Sequence, residues 1–406
     1  MDPRSLACFR LILATVLLYD IGQSWDLIAD WAGLQGYYDG LPLPAWIGLS
    51  DEATLRVVFA VYGLFAIGLL AGYKTTWCTV AVWVTSCGHH YAARHTIDYH
   101  DTAIVNLLLW SLALPLGQRL SVDAALRRKA GRAVPPPQHH PTQVVAGCGF
   151  VLTLAWLYLN TAVCKDGSAW WWEGDAVRLA VMEFAARSPT GVWAVAHLPD
   201  ACLRAATHIV MAVEWLVPVL LLIPWRRSAL RLASALVLVF MHGAMWLLMD
   251  IGSFPPTMMA AACALLPTTF WNRLAGGSAA PRPPPAARPA CRRRLRQHLL
   301  NGFFGLSVLI NIEGTRLQAL DPDERCPYPG AEWVLKLKYL LGVESTWAMY
   351  APEPAGYGGW WVALGRRSSG TEVDLITGEP PTLTPPYPPS GTARQPARPL
   401  LVTSTL

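Results

Sequence analysis

The stretch TAVCKDGSAWW (Thr161–Trp171) carries a lysine at the end of an apolar run, Gln143 to Val163. Only five of the chain's 32 Lys and Arg residues are lysines, so the choice of Lys165 over arginine calls for a reason. One reason is anchoring, in which an amine at a membrane helix end snorkels to the polar interface. Anchoring on this chain is otherwise done by Arg and Trp. The other reason is chemistry. Arginine keeps its proton at any useful pH and lysine does not. An ordinary lysine, with a pKa of about 10.4, is neutral about once in 2,500 at pH 7. Burial lowers that pKa by as much as ~3–5 units. A lysine against a protein-walled membrane pocket is therefore a usable general base.

Other ionisable residues lie where lipid is expected, at a cost of about 2.5–3.5 kcal/mol each at a helix centre. Arg10 and Asp20 fall in the first apolar stretch, His208 and Glu214 in the sixth, and His242 late in the seventh. CGHHYAARHTIDYHDTAIVN adds His89, His90, His95, Asp98, His100 and Asp101 around the fourth. Arg10 fits either a bundle-holding ion pair or a ligand contact. Glu214 fits either a hydrogen-bonded packing residue or a functional carboxylate. His100 and His242, each alone, are ordinary structural histidines; their interest lies in company. The nine cysteines are scattered singly, with no CxxC and no Cys/His cluster at zinc spacing, so neither a disulfide framework nor a metal site is indicated.

The elements that must position these groups are membrane helices. The chain is 53% hydrophobic and 15% charged, with 19 Trp and a mean hydropathy of +0.32. A bilayer core takes about 20 apolar residues as helix. Nine stretches qualify or nearly so: 5–22, 54–73, 75–92, 102–117, 143–164, 202–223, 228–249, 254–271 and 297–314. The first is read as a retained helix, because no small-residue cleavage site follows it. Residues 24–38 and 174–188 read as interfacial amphipathic helices. The expected fold is an all-α polytopic membrane bundle of eight or nine transmembrane helices plus interfacial helices. A small β-containing tail follows it.

Loop charge sets the orientation. Arginines crowd 118–140, 225–231 and 272–296, which face the cytoplasm; the intervening loops carry Asp and Glu and face outward. The N-terminus is then inside and the C-terminal tail outside. His100, Asp101, Lys165, His242 and Asp250 fall toward the outer end of the bundle. Residues 273–296 read as a Pro/Arg linker; a basic cytoplasmic loop is what topology demands, so no nucleic-acid partner is inferred. In the tail, 315–406, alternation and Gly-rich turns over 347–378 suggest a small β unit, and the Pro-rich end from Thr382 a disordered one. The Arg, Ala and Pro content fits a GC-rich genome, so a bacterial cytoplasmic (inner) membrane is expected.

Five segments occur in order: SLACFRLILATVLLYDI (5–21), YYDGLPLP (37–44), LALPLGQRLSVDAAL (112–126), TAVCKDGSAW and FMHGAMWLLMDIGSF (240–254). On these the chain, over about residues 1–272, resembles the HTTM (horizontally transferred transmembrane) family, to which the membrane domain of vitamin K-dependent gamma-carboxylase belongs. TWAMYAPEP and GTEVDLITG in the tail are also similar to segments of bacterial members. The resemblance implies a carbon–carbon lyase chemistry in which a lysine deprotonates a reduced quinone, vitamin K hydroquinone or menaquinol. Oxygen epoxidises the quinol, and the strong base so formed prepares a glutamate of a protein or peptide substrate, on the extracytoplasmic side, to take up CO2. Lys165 matches that lysine, and His100 matches a functionally important histidine 21 residues before Ser121. His242 matches the seventh-helix histidine. Asp101, Arg10 and Glu214 are the accompanying candidates for quinone contact. Tyr99 stands where the carboxylase has an amide residue, and Cys164 where it has a second lysine. Fewer than a hundred residues replace its large lumenal domain, so quinol deprotonation is more readily retained than carboxylation. Two other readings stay open: a non-catalytic scaffold or quinone-binding protein, and a proton-coupled transporter drawing on Glu214 and His208.

Overall fold

The structure is a computed structural model. It describes residues 1–33, 51–92, 98–131, 141–184, 188–224, 226–275, 291–320, 330–341, 343, 347–354, 360–366, 371–374, 380 and 399–403. The YYDGLPLP segment, His95 and most of the linker lie outside the described residues. The chain divides into two compact units. One comprises Met1–Tyr158, Val217–His242 and Gly252–Trp347, the other Leu159–Leu216, Gly243–Ile251 and Ala348–Leu406.

The first unit opens with α1 (Pro3–Trp25). The Asp2 side chain accepts from Arg4 N, and Pro3 occupies a position whose N–H would go unused, so the helix starts there. α2 (Ile28–Gly33) is the described part of the expected interfacial helix at 24–38. α3 (Asp51–Ala71) shows why these sequences make two-faced spans. Leu55, Phe59, Tyr62, Ala66 and Leu69 are buried at alternating four- and three-residue steps, while Val57, Val61, Leu64 and Ile67 face outward. α4 (Thr75–Ala92) and α5 (Tyr99–Ser111) follow; α1 packs on α3, α3 on α4, and α4 on α5.

The LPLGQRLSVD turn then leads into α6 (Val122–Lys129), and its conspicuous residues have separate tasks. Ser121 caps its own helix, accepting from Ala124 N at 3.0 Å. Asp123 reaches back to cap α4, accepting from Lys74 N and Thr75 N, both at 2.9 Å, and from the Thr75 hydroxyl at 2.7 Å. α7 (Pro141–Cys164) begins in this unit.

The second unit receives the end of α7 and holds α8 (Ser168–Trp171), α9 (Ala176–Phe184), α10 (Pro189–His197) and most of α11 (Asp200–Leu222). α9 is the described core of the interfacial helix expected at 174–188. α12 (Arg227–Leu248) serves both units in turn.

The expected span 254–271 is two helices, α13 (Phe254–Ala264) and α14 (Thr268–Leu274). Pro267 has no N–H to continue the ladder and disfavours helical backbone at Leu266. α13 packs on α1 and α5 in the first unit. The same unit has α15 (Cys291–Leu320), longer than the expected 297–314, folded against α16 (Ala331–Leu341). The tail forms a three-stranded sheet in the second unit: β1 (Trp360–Arg366) pairs antiparallel with β2 (Glu372–Asp374) and parallel with β3 (Pro399–Thr403). β3 falls within the stretch expected to be disordered. Its Leu400, Leu401 and Val402 suit a pleated strand.

Among the described residues, five helices are long and apolar enough to cross a membrane: Pro3–Trp25, Glu52–Ala71, Pro141–Cys164, Asp200–Leu222 and Arg227–Leu248. Their 20 to 24 residues, at about 1.5 Å each, reach about 30–36 Å, the thickness of a hydrocarbon core. Of the other four expected stretches, 75–92 and 297–314 are helical throughout, 102–117 only to Ser111, and 254–271 is broken before Thr268; none is in this group.

Candidate functional site

Lys165 is the first residue after α7, and its side chain is 3% exposed. Its Nζ donates to Glu214 Oε1 at 2.5 Å. The Trp170 ring covers the amine, with its centroid 4.3 Å from Nζ. The loop doubles back because the Trp171 indole donates to the Lys165 carbonyl at 2.8 Å. Trp170 is set by a buried cluster with Ala169, Ala176 and Met211, flanked by Leu179, Val210 and Tyr350.

On α11, Thr207, Met211 and Glu214 recur at four- and three-residue steps and are all buried, so one stripe of the helix faces this cluster. Thr207 also accepts from Val177 N at 3.1 Å, pinning the start of α9. Pro218 has no N–H for the Glu214 carbonyl four residues back, which loosens α11 beside its one buried carboxylate.

The chemistry of this pair follows from its seclusion. Burial pulls the Lys165 amine below its ordinary range, while the charge of Glu214 and its hydrogen bond pull the other way; burial prevails. The Trp170 face favours the ammonium form when a proton is present. Glu214 Oε2 is buried and has no hydrogen-bond partner among the described residues. A buried carboxyl oxygen without a donor is costly, and an O–H brought to it would relieve that cost. His208, one residue from Thr207, is exposed on another face of α11.

In the first unit, His242 is 1% exposed on α12. Its Nε2 lies 2.8 Å from Tyr158 Oη, and the Phe254 ring stands edge-on to it at 5.6 Å. Its Nδ1 is buried without a partner among the described residues.

His100 is in the first turn of α5, before the apolar stretch, between two carboxylates. Nδ1 is 3.7 Å from Asp98 Oδ2 and Nε2 is 3.5 Å from Asp101 Oδ1. The two aspartates are also a capping box: Asp98 Oδ1 accepts from Tyr99 N at 2.6 Å and Asp101 accepts from Asp98 N at 3.1 Å. Burial lowers the His100 pKa, but the neighbouring carboxylates, Asp98 first and then Asp101 and Asp20, outweigh that and raise it to about 9. His100 is therefore a cation at neutral pH, suited to stabilise an anion and not to take a proton.

Arg10 has a different setting. It is fully buried, and its Nη2 donates to the Leu120 carbonyl. Gly72, at φ +68°, leaves it room: a Cβ there would meet Arg10 Nη1 at 1.7 Å. Asp20, ten residues further and so about 15 Å along α1, accepts instead from Ser253 and feels the charges of His100 and Asp101. Arg10 thus grips the LSVD turn, away from the His100 cluster.

The predicted residues therefore fall into two sets, Lys165 with Glu214 in one unit, and His100, Asp101, His242 and Arg10 in the other. Tyr158, Trp170, Asp20 and Ser253 are partners that sequence reasoning does not assign. The five-residue step from Lys165 to Trp170 is visible in the chain; the rest joins distant segments. A cavity of about 480 Å³ in the first unit is lined by Thr75, Asp123, Arg127 and Thr142 among others. It contains none of the predicted site residues, and its charged groups are already committed, Asp123 to α4 and Arg127 to the Gly117 and Asp123 carbonyls. No family model, curated protein or solved structure matches the chain.

Proposed function

We propose that Lys165 and Glu214 form a proton-holding dyad that deprotonates a membrane quinol, in a multi-pass enzyme of the HTTM, gamma-carboxylase-like type. The observation that carries this reading is the buried Glu214 Oε2 without a donor, beside a buried amine under an indole face. The set fits a quinol: an acceptor for one O–H, an amine for its proton, and the apolar walls of Trp170 and Met211 for a ring. When bound, such a quinol supplies a phenolic proton of pKa about 10 and, once that is lost, reducing power toward oxygen.

The dyad's part is to hold and move protons. Proton transfer along the 2.5 Å Nζ–Oε1 hydrogen bond turns the ion pair into a neutral amine and a neutral carboxyl. Lys165 can then accept a proton at Nζ, and the ammonium that results is stabilised by Trp170. In that step the proton taken up at Nζ is the only one that moves, and Glu214 keeps its own. A cationic His100 is suited to steady an anion, and its part is read by substitution.

α5 and α13 fall short as spans, but Thr102 to Ser111 and most of α13 are buried, as in helices packed inside a bundle. α15 turns Leu299, Leu306, Leu309 and Ile312 outward, as a lipid-facing helix does. These features support eight or nine spans in a bacterial inner membrane, with the N-terminus inside. The bonds from 350–353 to 167–170 support a tail on the same side as Lys165. O2 is the proposed oxidant, and CO2 and a peptide belong to the fuller carboxylase reading.

The test is quinol epoxidation by the purified full-length protein. Turnover is expected in the wild type and lost in Lys165→Ala. Absence of turnover in the wild type, or undiminished turnover in Lys165→Ala, would sink the reading. The closed Lys165–Glu214 pair also suits a second reading, a non-catalytic scaffold in which it is a structural ion pair; there Lys165→Arg leaves function intact.

A further inference from the structure

We infer that the tail segment Tyr350–Glu353 is a strap that positions Lys165, with Glu353 as its principal positioning residue. This rests on the dyad reading for its catalytic meaning and on geometry alone for the strap. Four hydrogen bonds join this segment to the loop just after Lys165. Gly167 N donates to the Pro352 carbonyl at 3.2 Å. Ala169 N donates to Glu353 Oε1 at 3.1 Å, and the Ser168 hydroxyl lies 3.0 Å from the same oxygen. The Trp170 indole donates to the Tyr350 carbonyl at 3.0 Å.

The close fit depends on Gly167, because a Cβ there would meet Glu353 Cγ at 1.9 Å. Tyr350 also packs on the Trp170 cluster. Within the loop, the Trp171–Lys165 bond and the burial of Trp170 are the other supports, and α8 is a single four-residue turn. Ser168 has one proton for two carboxylates, Glu353 and Glu173, the latter at 2.9 Å, so the Ala169 N–H is the bond that Glu353 alone satisfies.

The consequence for Lys165 is direct. Trp170 is both the lid on Nζ and the residue tethered to Tyr350. Releasing the strap lets the lid open, admits water to the amine, and returns Lys165 toward ordinary lysine behaviour. The tail would then be a working part of the dyad and not an appendage to the bundle.

The experiment is competitive acylation of the purified full-length protein with acetic anhydride across pH. Modification of Lys165 is quantified by peptide mass spectrometry against the exposed Lys74. Glu353→Ala is expected to raise the Lys165 rate about fivefold, the change in open population that goes with one lost hydrogen bond, and to move its pH profile toward that of Lys74. Glu353→Gln keeps an acceptor for Ala169 N and is expected to stay within about twofold of wild type. Trp170→Phe keeps a ring and loses the tether, and is expected to shift in the same direction as Glu353→Ala. If Glu353→Ala does not fold, Trp170→Phe decides. Folded variants whose Lys165 profiles overlay wild type would overturn the strap. Labelling needs no quinol, so a wild type without turnover defeats the quinol reading while leaving this result readable.

Discussion

Glu214→Gln isolates the cost of a buried lysine on its own. In the wild type the carboxylate oxygen is 2.5 Å from a Lys165 amine that is 3% exposed. The amide keeps the volume and one acceptor but removes the charge. Losing one partner of a buried pair costs about 3–5 kcal/mol, because the remaining charge has no water to turn to. Lysine has an escape, which sets a ceiling. Shedding a proton with a pKa of 10.4 at pH 7 costs about 4.6 kcal/mol, at 1.36 kcal/mol per unit, and the variant cannot lose more than that through this route. The Trp170 face returns about 1–2 kcal/mol to the ammonium, so a loss of about 2–4 kcal/mol is expected at pH 7.

The pH dependence has a definite sign. With Glu214 gone, the folded pKa of Lys165 lies further below its unfolded value of about 10.4, so the unfolded state holds more protons. Stability of the variant therefore rises with pH, and the gap to wild type closes as pH approaches about 10.4. The assay is thermal unfolding of the purified protein, followed by circular dichroism at pH 7 and pH 10, with Lys165→Met/Glu214→Leu as the companion. The double variant, with no buried charge, is expected near wild type or above it. A Glu214→Gln protein as stable as wild type at pH 7, with a double variant no better, would refute the claim that the pair is buried and electrostatically coupled.

Two further outcomes follow from the first unit. Asp123→Ala should cost about 1–3 kcal/mol by thermal unfolding, since it strips three hydrogen bonds from the start of α4, whereas Asp123→Asn keeps an acceptor and should lose less. His100 is raised from 6.5 to about 9, so its contribution is fully present below pH 6.5 and is lost as pH rises through 9; His100→Gln should flatten the stability profile over that window, and an unchanged slope would count against its placement between Asp98 and Asp101.

Features that act over a few neighbouring residues are legible in the amino-acid sequence. Among the described residues, period and composition locate the five helices long and apolar enough to cross a membrane, because burial of apolar residues at three- and four-residue steps is written into neighbouring positions. The break at Pro267 is a local signal too, since a missing N–H acts within one turn, although the apolarity of the run 254–271 hides it. The scarcity of lysine marks Lys165. β3 escapes notice because its few apolar residues lie beyond a long Pro-rich stretch.

What the chain does not announce is who meets whom. Lys165 and Glu214 are 49 positions apart, and Ser168 and Glu353 are 185 apart. Asp123 is visible as the third residue of SVD, yet it serves a helix that begins 48 positions earlier. Arg10 reads as a candidate for a quinone, and its Nη2 meets the Leu120 carbonyl, 110 positions on. The sequence by itself located the long apolar helices and a lysine at the end of one of them, while α6, α10 and α16 were not read from it. Tertiary structure alone decided that this amine is roofed by Trp170, paired with Glu214 and strapped by the tail. Hydropathy and backbone sterics act along the chain, whereas the partner of a buried charge is chosen by whatever the fold brings within about 3 Å of it.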